Sequence, residues 1–439
     1  MAIDEDLEKP LMRSREEKTD ENGSCNIIIG NGMVYFSTFV AVCGSFQFGS
    51  CVGFSAPAQA AIREDLHLSL SQYSMFGSIL TIGAMFGAVT SGRIADYIGR
   101  KGAMRMSTCF CIIGWIAIYL SKESLALDIG RLLTGYGIGV FSYVVPVFIA
   151  EIAPKNLRGG LTTLNQLLIV TGSSVAFLLG TIVTWRTLAL TGLVPCTILL
   201  VGLLFIPESP RWLAKVGQEK EFLSALQILG GKNADTSAEA AEIQNYIETM
   251  ESLPKTKLVD LFQGRYIRPL IIGVGLMVFQ QFGGINGIGF FVSETFASAG
   301  PSVGKVGTIA YACIQVPITV AGVILMDKSG RRPLIMVSAA GTSLGCFLAG
   351  ASFFLKGRGL LPAFVPVLVV VGVLVWIYID LFLTSYVEIY IFFSDQALKF
   401  IENIDCKSFK EKTMEITQSY GVIIMIIISI YIYFRMLDR

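Results

Sequence analysis

Gly92-Arg-Ile-Ala-Asp-Tyr-Ile-Gly-Arg-Lys101 sets charges and glycines between two long apolar stretches, and an echo of it returns at Met326-Asp-Lys-Ser-Gly-Arg-Arg-Pro333. In both copies an Asp stands three residues before a Gly and two cations follow at once. Asp96 and Asp327 therefore hold matching places in two halves of one chain, divided by a polar stretch from Pro207 to Arg268. Internal repeats of this kind mark transporters built from two related bundles.

The surrounding composition agrees. A chain of 439 residues that is 53% hydrophobic and 15% charged, with a mean hydropathy of +0.64, is too apolar to be soluble at this size. It reads as an all-α polytopic membrane protein. A net charge of +1 offers no basic field for nucleic acid. The nine cysteines lie mostly in apolar runs without a CxxC pair, and the one histidine is His67. They read as small core hydrophobes, and neither a metal site nor a cofactor is expected.

A bilayer core takes about 20 apolar residues per helix, and runs of that length fall near 34–55, 72–91, 104–120, 126–150, 162–184 and 187–206. Beyond the polar stretch four more fall near 268–292, 304–326, 334–355 and 362–383, then a shorter run from Tyr420 to Phe434. The expected organisation is a disordered acidic tail over 1–33, a six-helix bundle over 34–206 and a helical linker over 207–267. A partial second bundle of four spans follows over 268–383, and then a divergent tail over 384–439 with the marginal run 420–434. The tail at the N-terminus lacks the basic start and short apolar run of a signal peptide; Glu8 to Met12 has a faint look of an acidic dileucine sorting signal, but a solvated tail is the plainer reading. Cations gather in alternate loops at Arg93, Arg100, Lys101 and Arg105, at Lys155 and Arg158, and at Lys328, Arg331 and Arg332, so the N-terminus and the linker are expected in the cytosol.

Asp96-x-x-Gly-Arg-Lys, Gly130-Arg131, Pro146 with Glu151, Arg158-Gly159, Pro207-Glu-Ser-Pro-Arg and Gln280-Gln-Phe-Gly-Gly-Ile-Asn286 together resemble the sugar porter family of the major facilitator superfamily. The order and spacing match over roughly 34–375, with a texture closest to plant monosaccharide transporters of the early-response-to-dehydration class. The resemblance implies the major facilitator fold, with two pseudo-repeated bundles and here an incomplete C-terminal one. It also implies a cytoplasmic charge network of Asp96, Arg100, Arg131, Glu151, Arg158, Glu208 and Arg211 that closes and breaks during the cycle. Gly92, Arg93 and Gly99 belong to the same motif, and Asp327, Gly330, Arg331 and Arg332 to its repeat. Arg131 and Glu151 abut apolar spans, where an unpaired charge costs about 3 kcal/mol. They should have partners.

The substrate residues are expected among neutral amides inside spans, because an amide both donates and accepts, as a sugar hydroxyl does. Gln166 lies mid-span, Gln280, Gln281 and Asn286 lie in a seventh span broken by Gly283 and Gly284, and Gln315 lies twelve residues before Asp327. In the family the matching positions contact the sugar, although Asn is frequent where Gln315 stands. For any one of them an interhelical hydrogen bond worth about 0.6 kcal/mol is an even alternative.

Two departures shape the expectation. Proton-coupled sugar porters carry a carboxylate in the first span, whereas Ser45-Phe-Gln-Phe-Gly-Ser-Cys-Val-Gly53 has none, with Cys51 near the expected place. Downhill exchange and symport both stay open, and with them a proton as second partner. The resemblance also ends near Val375, leaving Asp380 and Glu388 as charges in an apolar stretch. The expectation is a non-enzymatic carrier moving a monosaccharide through a lipid bilayer. The alternative is a non-transporting truncated variant that senses sugar or partners a full-length transporter. The class points to the vacuolar membrane, with the plasma membrane as the other choice.

Overall fold

The computed structural model describes residues 32–154, 156–231, 236–252, 275, 285–299, 301–329, 331–358, 364 and 367–375. Among them every regular element is a helix. The first half comprises α1 (Gly32–Gly53), α2 (Ser55–Asp65), α3 (Leu70–Leu120), α4 (Ser124–Ile152), α5 (Arg158–Gly180), α6 (Trp185–Thr191) and α7 (Leu193–Gly202). Five segments among the described residues are long and apolar enough to cross a membrane, the fifth being α6 with α7.

The 51 residues of α3 would run about 76 Å at 1.5 Å per residue, more than twice an apolar core of about 30 Å. They form two spans in series. The helix continues through Gly92 to Ile98, breaks at Gly99 with φ 82° and ψ 169°, and restarts at Arg100. The charged run read from sequence as a connection between spans is therefore helix on both sides of a one-residue corner. A single glycine can turn the chain there because backbone at that φ and ψ is closed to other residues. The entry into α3 is fixed by a capping box, in which Ser69 and Gln72 bond each other's backbone N–H.

Small residues let the helices meet at backbone distance. A Cβ added to Gly49 of α1 would lie 1.8 Å from the Ile169 carbonyl of α5, and one added to Gly172 would lie 2.2 Å from the Phe46 carbonyl. That approach carries the polar side chains of α1 up to those of α5. Around it Phe54, Phe76, Trp115, Phe141 and Phe148 fill the core of the first half.

The polar stretch carries three short helices, α8 (Pro210–Lys215), α9 (Glu219–Gly230) and α10 (Ser237–Ser252). Leu213, Phe222, Ala225, Leu226, Ala240 and Ile243 give them a core of their own. The start of α8 follows from its sequence: Ser209 accepts from the Trp212 N–H at 3.3 Å, and Pro210 takes the first helical position, where its missing N–H costs nothing.

In the second half, α11 (Ile285–Ala299), α12 (Pro301–Ser329) and α13 (Arg331–Gly357) are described, with further helix at 367–375. The halves meet where Val170 and Phe177 of α5 pack with Val292, Phe296, Tyr311 and Ile318. Phe177 and Tyr311 stand edge to face with centroids 4.8 Å apart. The N-terminal tail up to residue 31 with its dileucine-like run, residues 253–267 of the linker and everything after Val375 lie outside the described residues, Asp380, Glu388 and the run 420–434 included.

Candidate functional site

Two groups of polar residues stand out, one at the face of the bundle that carries α8–α10 and one between the halves. At the first, Arg100 is the centre. Its Nε and Nη2 donate to the two oxygens of Glu151 at 2.9 and 2.8 Å, and its Nη1 donates to the Ala95 carbonyl and to Asp96 Oδ1 at 3.0 and 3.1 Å. The pair is nearly dry, with side-chain exposures of 8% and 12% for Arg100 and Glu151. A planar fork meeting a carboxylate edge-on is the strongest form of such a contact.

Asp96 extends the cluster to the linker. Its Oδ2 pairs with Lys215 Nζ at 3.1 Å, and its carbonyl accepts from Trp212 Nε1 at 2.9 Å. Glu208 completes it by accepting the backbone N–H groups of Arg100 at 3.2 Å, Lys101 at 3.0 Å and Ser209 at 2.8 Å. Here a carboxylate sits on the positive end of the helix that restarts after Gly99. Burial pushes the Glu208 carboxyl above its ordinary value, opposed by these amides and by the neighbouring Lys101 and Arg100. The carboxylate at this helix start comes from the linker.

Gly99 leaves the room for this. A Cβ there would lie 2.6 Å from Glu208 Oε2. Gly99→Ala is expected to destabilise the protein by about 1–3 kcal/mol through backbone strain, with displacement of Glu208 added. The check is a lower melting temperature of the detergent-solubilised protein, and an unchanged one would remove Glu208 from the helix start.

The other residues of the expected network fall elsewhere. Gly92 is buried and Arg93 exposed on the same helix. Arg158 donates to the Ala153 carbonyl at 3.3 Å and lies within electrostatic reach of Arg211, Glu239 and Glu242, and Arg211 stands over the Tyr246 ring at 5.9 Å. These two form a neighbouring group against α10. Arg131 does not join at all. It lies twenty residues before Glu151 on α4, about 30 Å along a helix, toward the opposite face. There its Nη1 donates to the Cys51 carbonyl at 2.8 Å and its Nη2 to Ser55 Oγ, and its guanidinium stands 4.7 Å from the Phe76 centroid and 5.4 Å from that of Phe54. It is fully buried, and among the described residues no carboxylate pairs with it. Asp327, Arg331 and Arg332 are placed in α12 and α13, but their side chains and Gly330 lie outside what is described.

The second group lies along α5. Gln166 is buried with its Oε1 lacking a partner among the described residues, a costly state for an amide carbonyl unless something else fills it. Ser45 of α1 donates to Asn165 Oδ1 at 2.7 Å. About two turns further along α5, Ser174 donates to Oε1 of the buried Gln315 on α12 at 2.9 Å, a contact between the halves. Asn286 is placed on α11 without a described side chain, and Gln280 and Gln281, with Gly283 and Gly284, lie outside the described residues. Sequence reasoning missed Ser45, Asn165 and Ser174. Asn165 could have been found as the neighbour of Gln166, but the serines carry no signal among 439 residues. Gln47 is used up in packing, donating to the Gly192 carbonyl at 2.9 Å and accepting from Trp115 Nε1. Among the described residues no His, Cys, Asp and Glu cluster could hold a metal ion.

A repeated bundle with neutral amides at its seam can now be compared with known proteins. The chain matches the family described as sugar (and other) transporter over residues 37–434. It belongs to that family. Membership makes it a carrier rather than an enzyme. The match runs past Val375, where the motifs end. Among curated relatives, sugar transporter ERD6-like 16 of Arabidopsis thaliana is 66% identical over 374 residues, which is 85% of this chain and 77% of the relative. Sugar transporter ERD6-like 7 of the same plant is 60% identical, covering 83% and 78%, and sugar transporter ERD6 is 47% identical, covering 84% and 74%. These place the transporter in the ERD6-like class. Its fold is that of the Escherichia coli xylose transporter XylE in a partially occluded inward-open conformation, with a TM-score of 0.71 at 21% identity over 91% of this chain and 90% of the other. The XylE proton:xylose symporter bound to 6-bromo-6-deoxy-D-glucose, described as a major facilitator superfamily protein, gives the same score at 22% identity.

Proposed function

We propose that this transporter moves a monosaccharide across a membrane by alternating exposure of a site between its two halves. The observation that carries the reading is the buried, unpartnered Gln166 carbonyl on the helix whose Ser174 reaches Gln315 across the seam. Neutral groups of this kind suit hydroxyls, and a charged substrate would be stranded among them. Gln280, Gln281 and Asn286 would complete the site from the second half. Asp96, Arg100, Glu151 and Glu208 would serve as a lock at the cytosolic face, with Asp327, Arg331 and Arg332 supplying its counterpart. Among the described residues Arg131 meets a carbonyl, a hydroxyl and two rings and no carboxylate, which supports downhill transport, with a proton-coupled cycle as the alternative. The vacuolar membrane is the favoured site on the strength of the class resemblance.

Radiolabelled hexose uptake into liposomes carrying the purified chain tests this. Gln166→Ala is expected to weaken sugar affinity about tenfold, the 1.4 kcal/mol of one amide hydrogen bond, without lowering the melting temperature. Unchanged affinity would remove Gln166 from the site. A second reading rests on the departure of the sequence from the family motifs after Val375: a non-transporting variant that senses sugar or partners a full-length transporter. Sugar binding without flux would decide for it.

A further inference from the structure

We propose that Gln59 and Arg63 of α2 and Glu294 of α11 form a latch that closes the path between the two halves at the face opposite α8–α10, and that its release opens that face. The proposal rests on the alternating-access reading above. Gln59 and Arg63 are one helical turn apart and so share a face of α2. Both address the same carboxylate: Gln59 Nε2 donates to Glu294 Oε2, and Arg63 Nη1 lies 3.9 Å from Glu294 Oε1.

The latch has a fixed side and a free side. Asp65, at the end of α2, pairs with Arg186 at 2.9 Å and accepts from Trp185 Nε1 at 3.2 Å, and Arg186 in turn donates to the Ser121 carbonyl at 3.1 Å. These contacts bind α2 to α3 and α6 of its own half. The Gln59 and Arg63 side chains reach across to Glu294. A movement of α11 with the second half therefore breaks these bonds and leaves α2 in place.

Two polar atoms of the latch are left unsatisfied in the closed form. At the latch, Gln59 is 3% exposed with its Oε1 buried and unpartnered among the described residues, and the Arg63 Nε is buried in the same condition. Water entering on opening would satisfy both, so the closed form carries a penalty that the open form sheds. The Gln59 hydrogen bond and the Arg63 ion pair to Glu294 offset that penalty, and a balance of this sort leaves both states accessible.

Hydrogen exchange of the purified full chain, read by mass spectrometry without substrate, tests the latch. Glu294→Arg is expected to raise exchange severalfold in peptides of α2 and α11 while leaving α4 and α9 unchanged. Exchanging the charges, Arg63→Glu with Glu294→Arg, is expected to bring α2 and α11 back toward wild type. Gln59→Leu should loosen the same two peptides to a smaller degree. Unchanged exchange in Glu294→Arg, a rise spread equally over α4 and α9, or no recovery in the charge-exchanged pair would each overturn the latch. Because no sugar is involved, a chain that fails to carry hexose would sink the transport reading and leave this result standing.

Discussion

Glu151→Ala is expected to lower stability by about 3–5 kcal/mol, the cost of removing from a buried guanidinium the carboxylate that answers two of its three nitrogens. Arg100 keeps its bonds to the Ala95 carbonyl and Asp96, but both groups that answered Nε and Nη2 are gone. In detergent this should appear as a fall in melting temperature on the order of 5–10 °C. The cause can be separated from simple loss of packing. Removing both partners, Arg100→Met with Glu151→Ala, should recover more than half of the loss, because the penalty lies in the stranded charge and not in the missing bond. A double variant as unstable as the sum of the singles would mean that the two side chains act independently, and the lock would lose its centre.

How much of this was legible differs from element to element for physical reasons. Each span of the first half shows itself because a bilayer demands a continuous apolar run, which is a local property of the chain. The corner at Gly99 was half visible: the motif marked the place, but only the backbone shows that helix continues on both sides of it. The family resemblance put Glu208 in one network with Arg100, but its seat on the backbone of the restarted helix could not be read from spacing, since Arg100 and Lys101 are more than a hundred residues away and no spacing rule links a linker to a corner. Arg131 was misplaced for a different reason. Reading it as a charge beside an apolar span was sound, yet α4 runs from Ser124 to Ile152, so Arg131 and Glu151 sit near opposite ends of one span and cannot share a network. Counting along the helix would have separated them. The amides were legible at Gln166 and Gln315 because a membrane interior makes polar side chains rare, whereas Ser45 and Ser174 pass unnoticed, serine being small enough to occur anywhere in a span.

The misplaced arginine is also where the chemistry can be changed most. Arg131 is fully buried, donates to the Cys51 carbonyl at 2.8 Å and to Ser55, and is otherwise held by the faces of Phe54 and Phe76. Cation–π contacts of this desolvated kind supply about 2 kcal/mol each, and among the described residues no carboxylate pairs with the charge. The Cys51 side chain lies within electrostatic reach of the same guanidinium. Cys51→Asp would therefore set a carboxylate against Arg131, and that carboxylate has two states, paired when ionised and released when protonated. Sugar flux through wild-type liposomes is expected to stay flat between mildly acid and neutral pH. Flux through Cys51→Asp is expected to become pH-dependent and, under an inward proton gradient, to accumulate sugar above its outside concentration. The double variant Cys51→Asp with Arg131→Met should lose that dependence, since the carboxylate then has no charge to let go. A wild type already driven by the gradient would show that a proton is carried elsewhere, and the downhill reading would fall with it. A Cys51→Asp variant that folds, carries sugar and ignores pH would show that the pairing at this position does not govern the cycle.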